Sequence, residues 1–124
     1  FVDAALDDRP VNIHGDGTQS RDFTFVDTVT EVIADAVVRR VGNLDPVNLA
    51  FGSRTDLLGL LDELEAVLGS PVERHHEPNR AGDVPHSQAD GSSLQRLFPD
   101  VEPVGLSDGL RATVDWMRST RDDS

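Results

Sequence analysis

The sequence has 124 residues, of which 23 are acidic and 11 are basic, and its formal net charge is −12. This length corresponds to one small domain, and the acidic balance argues against a duplex-binding surface, because neutralising phosphates needs clustered lysine and arginine. Cysteine is absent, which excludes disulfides and thiolate metal sites, and no apolar run is long enough to span a bilayer, so we expect a cytoplasmic protein without a membrane segment or signal peptide.

The chain is predicted to begin within a helix. Residues 1–6 carry apolar side chains on one helical face, and nothing caps a start, which suggests that the chain was cut from a longer one. A short strand is predicted at 11–14 and a turn at 15–19, where glycine and polar residues favour a turn. Residues 21–26 alternate in the manner of a second short strand.

Helices and single strands alternate through the middle of the chain. Asp27 is the predicted N-cap of a helix that ends before Gly42 and repeats its apolar residues at helical spacing. Residues 47–51 predict a buried strand. Ser53 or Thr55 is the predicted cap of the next helix, whose inner face is rich in leucine.

The last third of the chain continues this alternation. Residues 72–76 predict a strand, 78–88 a loop with turn chemistry, and 89–97 a short helix. Ser107 is the predicted cap of a last helix, in which Trp116 is expected to pack in the core rather than to stack on a ligand. Helices interleaved with short strands predict an α/β fold in a single domain that spans the chain.

Two arginines stand beside glycine-containing turns. The segment 15–27 leads through a glycine-rich turn to Arg21, and the segment 80–83 places Arg80 next to a second tight turn. The planar guanidinium fork offers paired donors that suit a diphosphate. In an acidic chain without lysine, the two arginines predict an anion site. The alternative is that each is a surface arginine paired with a neighbouring carboxylate.

Three segments resemble the landmarks of a known family. GDGTQSRDFTFVDTV at 15–29, NRAGDVPHSQAD at 79–90 and GLRATVDW at 109–116 are similar, in order and separation, to motifs of the extended short-chain dehydrogenases. These are the NAD-dependent sugar-nucleotide epimerases and dehydratases, with UDP-glucose 4-epimerase as the type member. The resemblance covers nearly the whole chain. It implies an α/β fold, the small substrate-binding domain that forms the C-terminal part of a Rossmann-type enzyme.

The resemblance assigns roles to three charged residues. Arg21 and Arg80 match the family arginines that contact the nucleotide diphosphate. Asp83 belongs to the same Arg-x-Gly-Asp landmark and is expected to order its loop or to hold a ribose hydroxyl rather than to perform chemistry.

The predicted strand at 11–14 lies where the family places a strand along the nucleobase. The resemblance implies that Asn12, Ile13 and His14 contact the base through backbone groups or packing. His14 stands where many relatives have an aromatic residue, and it is as readily a polar residue at a strand end. No metal site is predicted, because the adjacent His75 and His76 would point to opposite faces of a strand.

Two absences bear on catalysis. The sequence contains no tyrosine and no lysine, whereas the family uses a Tyr-x-x-x-Lys pair, and its Gly-x-x-Gly-x-x-Gly fingerprint for NAD is missing. No catalytic residue is therefore predicted. NAD is expected in the complete enzyme and is not expected to bind to this chain alone.

The expected function is binding of a nucleotide-diphosphate sugar, such as a UDP-hexose, beside a Rossmann domain that the chain lacks. Two alternatives stay open: a non-catalytic truncated paralogue that serves as a binding or interaction module, and a dehydratase or decarboxylase of the same family. The apolar surface that would face the missing Rossmann domain is expected to be exposed or to be covered by self-association. Neither nucleic acid nor a membrane is an expected partner.

Overall fold

The computed structural model describes residues 1–43, 45–87 and 89–122. Within these ranges, helices and short strands alternate along the chain, which confirms the predicted α/β class. The elements are α1 (Val2–Leu6), β1 (Val11–His14), β2 (Ser20–Arg21), α2 (Val26–Arg39), β3 (Thr55–Asp56), α3 (Leu57–Leu68), β4 (Arg74–Glu77), α4 (Ser92–Leu97) and α5 (Leu106–Asp122). No helix in the described ranges is both long and apolar enough to cross a membrane.

The first core surrounds a parallel pair of strands. β1 and β4 pair in register from Val11 with Arg74 to His14 with Glu77. Because side chains alternate along a strand, Val11 and Ile13 point into the core and are 1% and 0% exposed. α1, α3 and α5 cover this inner face of the strands. The first core consists of Val11, Ile13, Leu61, Leu64, Val72 and Val114.

A second core lies under α2. Val32 of α2 packs with Leu94 and Phe98 of the α4 region. The Arg39 guanidinium lies 5.4 Å from the centre of the Phe98 ring and also donates a hydrogen bond to the Leu97 carbonyl. These contacts fix α4 against α2, apart from the strands that carry the first core.

A buried hydrogen bond links α2 to the segment before α5. Thr28 is 0% exposed, and its Oγ1 accepts a 3.0 Å hydrogen bond from the Val104 amide. The bond satisfies a partly buried main-chain donor. It ties the start of α2 to the segment that leads into α5.

Two predicted strands differ from the structure. The strand predicted at 21–26 is reduced to Ser20 and Arg21, which pair antiparallel with β3. The strand predicted at 47–51 is wrong, because no described segment forms a ladder with it. A strand needs a hydrogen-bonded neighbour as well as apolar residues, and none of the described segments provides one there.

The helix boundaries also need correction. α2 begins at Val26 with Phe25 as its N-cap, so the predicted cap Asp27 lies in the first turn. α3 is capped by Asp56, whose side chain accepts a 2.7 Å bond from the Gly59 amide, and not by Ser53 or Thr55.

The later elements shift by a few residues. The strand predicted at 72–76 forms at 74–77, and the short helix begins at Ser92 instead of residue 89. Ser107, the predicted cap, lies inside α5. The end of the predicted 78–88 loop, Gln88, falls outside the described residues.

Several apolar side chains face solvent. Trp116, predicted in the core, is 65% exposed, because α5 turns its inner face with Val114 towards the strands. On α2, Val26, Ile33 and Val37 are 57–72% exposed and recur at helical spacing, which places them on one stripe. We call these three residues the α2 stripe.

Candidate functional site

A cleft opens where β1 and β4 end. Its volume is about 780 Å³, and its walls are the turn after β1 and the loop after β4. Ligands of α/β proteins bind preferentially at the carboxyl ends of parallel strands. The polar residues that line this large cleft include His14, Asp16, Gln19, Glu77, Asn79, Arg80 and Asp83.

A smaller groove of about 230 Å³ adjoins the large cleft and shares His14, Gln19, Arg80 and Asp83 with it. Arg21 and Arg80 both line this second space, which we call the arginine groove. The two arginines that the sequence singled out therefore meet on the wall of one groove.

The turn between β1 and Arg21 is shaped by glycine and by an aspartate. Gly15 has φ = +82°, which favours glycine, and a Cβ at this position would lie 2.2 Å from Asn79 Oδ1, so a side chain here would have to displace that of Asn79. Asp16 Oδ1 accepts bonds from Thr18 Oγ1 at 2.7 Å and from the Thr18 amide at 2.9 Å. The bonds from Thr18 lower the pKa of Asp16 from its ordinary value.

Two hydrogen bonds join the turn to β4. The Gly15 amide donates to the Glu77 carbonyl at 2.8 Å, which extends the parallel ladder by one step. His76 Nδ1 lies 2.8 Å from the Gly15 carbonyl and donates to it. The turn that forms one wall of the large cleft therefore continues from β1 and is hydrogen-bonded to β4.

Arg21 is held in place by two partners. Its Nη2 donates to Asp83 Oδ1 at 2.8 Å, and its Nη1 donates to the Ser20 carbonyl, also at 2.8 Å. Both side chains of the ion pair are about one-third exposed, at 32% and 37%. A ligand in the groove can therefore still reach the guanidinium.

Arg80 is exposed and has a different setting. It makes no ion pair with any residue in the part of the chain that the structure describes. The turn that follows it closes through a 3.2 Å bond from the Asp83 amide to the Arg80 carbonyl, and Gly82 adopts φ = +85°. Its guanidinium is therefore available for an external anion.

The three β1 residues predicted to contact a base are placed differently from one another. Asn12 is exposed and lines the arginine groove, and His14 is half-buried and lines both spaces. His14 Nδ1 lies 3.5 Å from Glu77 Oε2.

Ile13 faces away from both spaces. Its side chain is 0% exposed in the first core. The amides of Val11 and Gly15 bond to β4, and because backbone groups alternate along a parallel strand, the Ile13 amide and carbonyl also point towards β4. The Ile13 side chain is therefore not placed to contact a ligand in either space, and the alternation of the strand leaves Asn12 and His14 on the outward side.

Gln19 and Asn79 line the large cleft but were not predicted as site residues from the sequence. Gln19 Nε2 donates a 2.8 Å bond to the His14 carbonyl, and the residue lines both spaces. Gln19 lies two positions before Arg21, and side chains two positions apart lie on the same side of an extended segment, so this spacing could have predicted that both face one space. Asn79 precedes Arg80, and nothing local in the sequence indicates its contact with Gly15.

Acidic and basic groups are divided unequally between the two spaces. The acidic side chains that line the large cleft are Asp16, Glu77 and Asp83, and its lining arginine is Arg80. The arginine groove is lined by two arginines, Arg21 and Arg80, and by one carboxylate, Asp83. The groove is therefore the more positive of the two. Among the described residues, no group of three potential metal ligands converges on a point.

Comparison with known proteins gives consistent relatives. No family model matches the chain. It is 31% identical over 122 residues to a UDP-glucose 4-epimerase of Mycolicibacterium smegmatis, a match that covers 96% of this chain and 38% of the relative.

Two solved structures resemble the fold. One is a UDP-glucuronic acid 4-epimerase from Bacillus cereus in complex with UDP-glucuronic acid and NAD, with TM-score 0.83 and 29% identity. The other is a UDP-glucose 4-epimerase from Thermotoga maritima with UDP-glucose, with TM-score 0.84 and 30% identity. Each match covers 96% of this chain and 38% of the other chain. The chain thus spans less than two-fifths of these relatives, and the expected resemblance to them is confirmed.

Proposed function

The chain is homologous to the C-terminal part of NAD-dependent UDP-sugar 4-epimerases, and from this premise we propose that it binds the diphosphate of a UDP-sugar in the arginine groove. The observation that carries the proposal is the meeting of Arg21 and Arg80 on one groove at the carboxyl ends of β1 and β4. Paired guanidinium groups are the protein donors best matched to phosphate oxygens.

The charges suggest how the ligand lies. The diphosphate carries the negative charge, so it occupies the arginine groove, where two arginines oppose one carboxylate. The large cleft has three carboxylates, which repel phosphate but accept hydrogen bonds from hydroxyl groups. We therefore place the hydroxyl-rich parts of the ligand in the large cleft, with Asp83 near a ribose hydroxyl.

The nucleobase contacts the outward side of β1. The Asn12 and His14 side chains line the groove, and their backbone groups point away from β4 by the alternation of the ladder. The Asn12 backbone groups suit the polar edge of a uracil, whereas the His14 carbonyl already accepts a bond from Gln19 Nε2, and the His14 ring offers a face on which the base can stack.

The residues of this chain do not fit NAD. The sequence contains no tyrosine or lysine, and the turn at Gly15 and Gly17 leads into β2 instead of opening a helix. We propose that NAD binding and oxidation of the sugar depend on the part of such enzymes that the matched length leaves out. The chain itself contributes binding and orientation of the substrate, so it catalyses no epimerisation alone.

Epimerisation is the reaction that the relatives favour. The Mycolicibacterium smegmatis relative and the Bacillus cereus and Thermotoga maritima structures are named as UDP-sugar 4-epimerases. Dehydration would use the same diphosphate arginines, so the groove by itself is compatible with it. A non-catalytic binding module would keep the groove and lack any partner that supplies NAD.

The proposal is tested by calorimetric titration of the 124-residue chain with UDP-glucose, UDP-glucuronate and UMP. The expected result is binding of both UDP-sugars, with UMP weaker by about tenfold or more because it lacks the second phosphate. Equal affinity for UMP would contradict the diphosphate assignment. Absence of UDP-sugar binding at millimolar concentration would contradict the proposed function as a whole.

A further inference from the structure

The hydroxyl of Ser20 joins three segments of the chain. Ser20 is 4% exposed, and its Oγ lies 2.9 Å from His86 Nδ1. The same oxygen accepts a 3.0 Å hydrogen bond from Arg54 Nε. His86 is 66 positions from Ser20 and belongs to the loop after β4. We call Ser20, Arg54 and His86 the hydroxyl clasp.

The Ser20 hydroxyl can bond to both partners at once. Arg54 Nε–H can only donate, so the hydroxyl oxygen accepts that bond. With the ring proton of His86 on Nε2, Nδ1 accepts the hydroxyl proton, and with it on Nδ1, the ring donates to the second lone pair of the oxygen. Each of the three groups is satisfied in either arrangement, and the described structure leaves no buried side-chain polar atom without a partner.

Main-chain bonds reinforce the clasp. The Ser20 amide donates to the Pro85 carbonyl at 2.9 Å, and the Ser87 amide donates to the Ser20 carbonyl at 3.2 Å. Ser20 is thereby paired on one side with β3 and on the other side with the end of the loop. The loop end is fixed beside Arg21, the next residue of β2.

The start of the same loop has weaker anchors. Arg80 is exposed and has no ion pair among the described residues, and Asp83 is held by an exposed ion pair with Arg21. Exposed ion pairs contribute little to stability. The side-chain bonds of the clasp are partly buried, in contrast to the exposed bond between Arg21 and Asp83, and they act together with the two main-chain bonds of Ser20.

We propose that His86 is a positioning residue for diphosphate binding. Through Ser20 it fixes the loop after β4, so that Arg80 and Asp83 face Arg21 across the arginine groove. This inference rests on the proposed function. A preordered loop raises affinity because less conformational entropy is lost when the ligand binds.

The first arm of the test measures loop order without ligand. Amide hydrogen exchange of residues 80–87 is compared for the 124-residue chain and for His86→Ala, His86→Asn and His75→Ala. Exchange should accelerate in His86→Ala and stay slow in His86→Asn, because the asparagine oxygen can accept a bond near the position of Nδ1. His75 is the control, since it is exposed on β4 and lines neither space. Unchanged exchange in His86→Ala overturns the proposal.

The second arm measures affinity for UDP-glucose in the same variants. His86→Ala should weaken binding about 3- to 10-fold, and His86→Asn should restore most of it. If His86→Ala lowers the melting temperature while the affinity stays that of the unaltered chain, the clasp is only structural and the proposal is wrong. If the unaltered chain itself does not bind UDP-glucose, it is the proposed function that fails, and the positioning role fails with it.

Discussion

Arg21 Nη2 donates a 2.8 Å hydrogen bond to Asp83 Oδ1, across 62 positions of sequence. This bond joins β2 to the loop after β4 at the point where the arginine groove and the large cleft meet. Because both side chains are partly exposed, a diphosphate can share Arg21 with Asp83. The pair therefore orients the guanidinium and leaves it accessible.

Removal of either groove arginine should weaken ligand binding. A charge-assisted hydrogen bond to phosphate contributes roughly 1.5–3 kcal/mol, so Arg21→Ala and Arg80→Ala should each lower the affinity for UDP-glucose about tenfold or more. Arg118→Ala is the matched control, because this α5 arginine is exposed and lines neither space. Titration calorimetry measures all three. A groove variant that binds like Arg118→Ala would remove that arginine from the site.

A side chain at Gly15 should disrupt the cleft. Gly15→Ala introduces a Cβ 2.2 Å from Asn79 Oδ1 at a residue with φ = +82°. Gly82→Ala is the control, since Gly82 has φ = +85° but nothing within 4 Å of its Cβ. We expect Gly82→Ala to cost about 1–2 kcal/mol from backbone strain and Gly15→Ala to cost more. Urea unfolding measures the difference.

Replacing Asn79 separates the two causes in Gly15→Ala. The double variant Gly15→Ala/Asn79→Ala keeps the strained backbone and removes the clash, so it should recover part of the lost free energy of unfolding. If Gly15→Ala and Gly82→Ala were equally destabilising, the Asn79 side chain would make room for the new Cβ and only the backbone strain would remain.

Stability should fall in acid partly through Glu65. Its Oε1 accepts a 2.9 Å bond from the Val72 amide and its Oε2 lies 3.1 Å from Arg74 Nη2, and these contacts lower the pKa of Glu65 below the ordinary value of 4.5. A lowered pKa stabilises the fold above pH 4.5, and this stabilisation is lost as the pH falls through the folded-state value.

The variant Glu65→Gln tests this pH dependence. The unaltered chain should be more stable than Glu65→Gln at pH 7, and the difference should shrink by pH 3. Glu63→Gln, an exposed position on the same helix, should change stability little at either pH. Melting temperatures at the two pH values measure both effects. A Glu65→Gln difference that is constant with pH would show that the carboxylate charge is not involved.

The α2 stripe should cause self-association. Val26, Ile33 and Val37 expose 57–72% of their surface along one side of a helix, and an apolar stripe of this kind favours contact with other apolar surface. We expect sedimentation and melting of the chain to depend on protein concentration. Ile33→Glu should reduce the apparent mass, whereas Val84→Glu, at an isolated exposed valine, should leave it unchanged. A monomeric mass at all concentrations would exclude this contact.

Local patterns predicted some elements and failed for others. β1 forms at 11–14 as predicted, because alternation of Val11 and Ile13 with polar residues directly determines which face is buried. The segment 47–51 has the composition of a strand, but strand formation depends on a partner that no local window contains. The exposure of Trp116 likewise depends on which side of α5 finds a neighbour.

The sequence also predicted part of the candidate site, namely its arginines, but not its long-range contacts. The glycine-containing turns and the family resemblance indicated Arg21 and Arg80, which the structure places on one groove. The burial of Ile13 also followed from the alternation of its strand, although a ligand contact had been expected there. The pairing of Ser20 with His86 joins residues 66 positions apart, and no short-range pattern carries that information.

The separation of the two cores implies that the molecule does not open as one unit. The large cleft and the arginine groove are built on segments packed around the first core, whereas α2 and α4 depend on the second. Cooperative units that share few contacts can unfold separately. Bound nucleotide should therefore slow amide exchange in β1 and β4 and leave exchange in α2 and α4 nearly unchanged. The limit of the residues whose amide exchange slows on ligand binding would then mark the boundary between two folding units within this short chain.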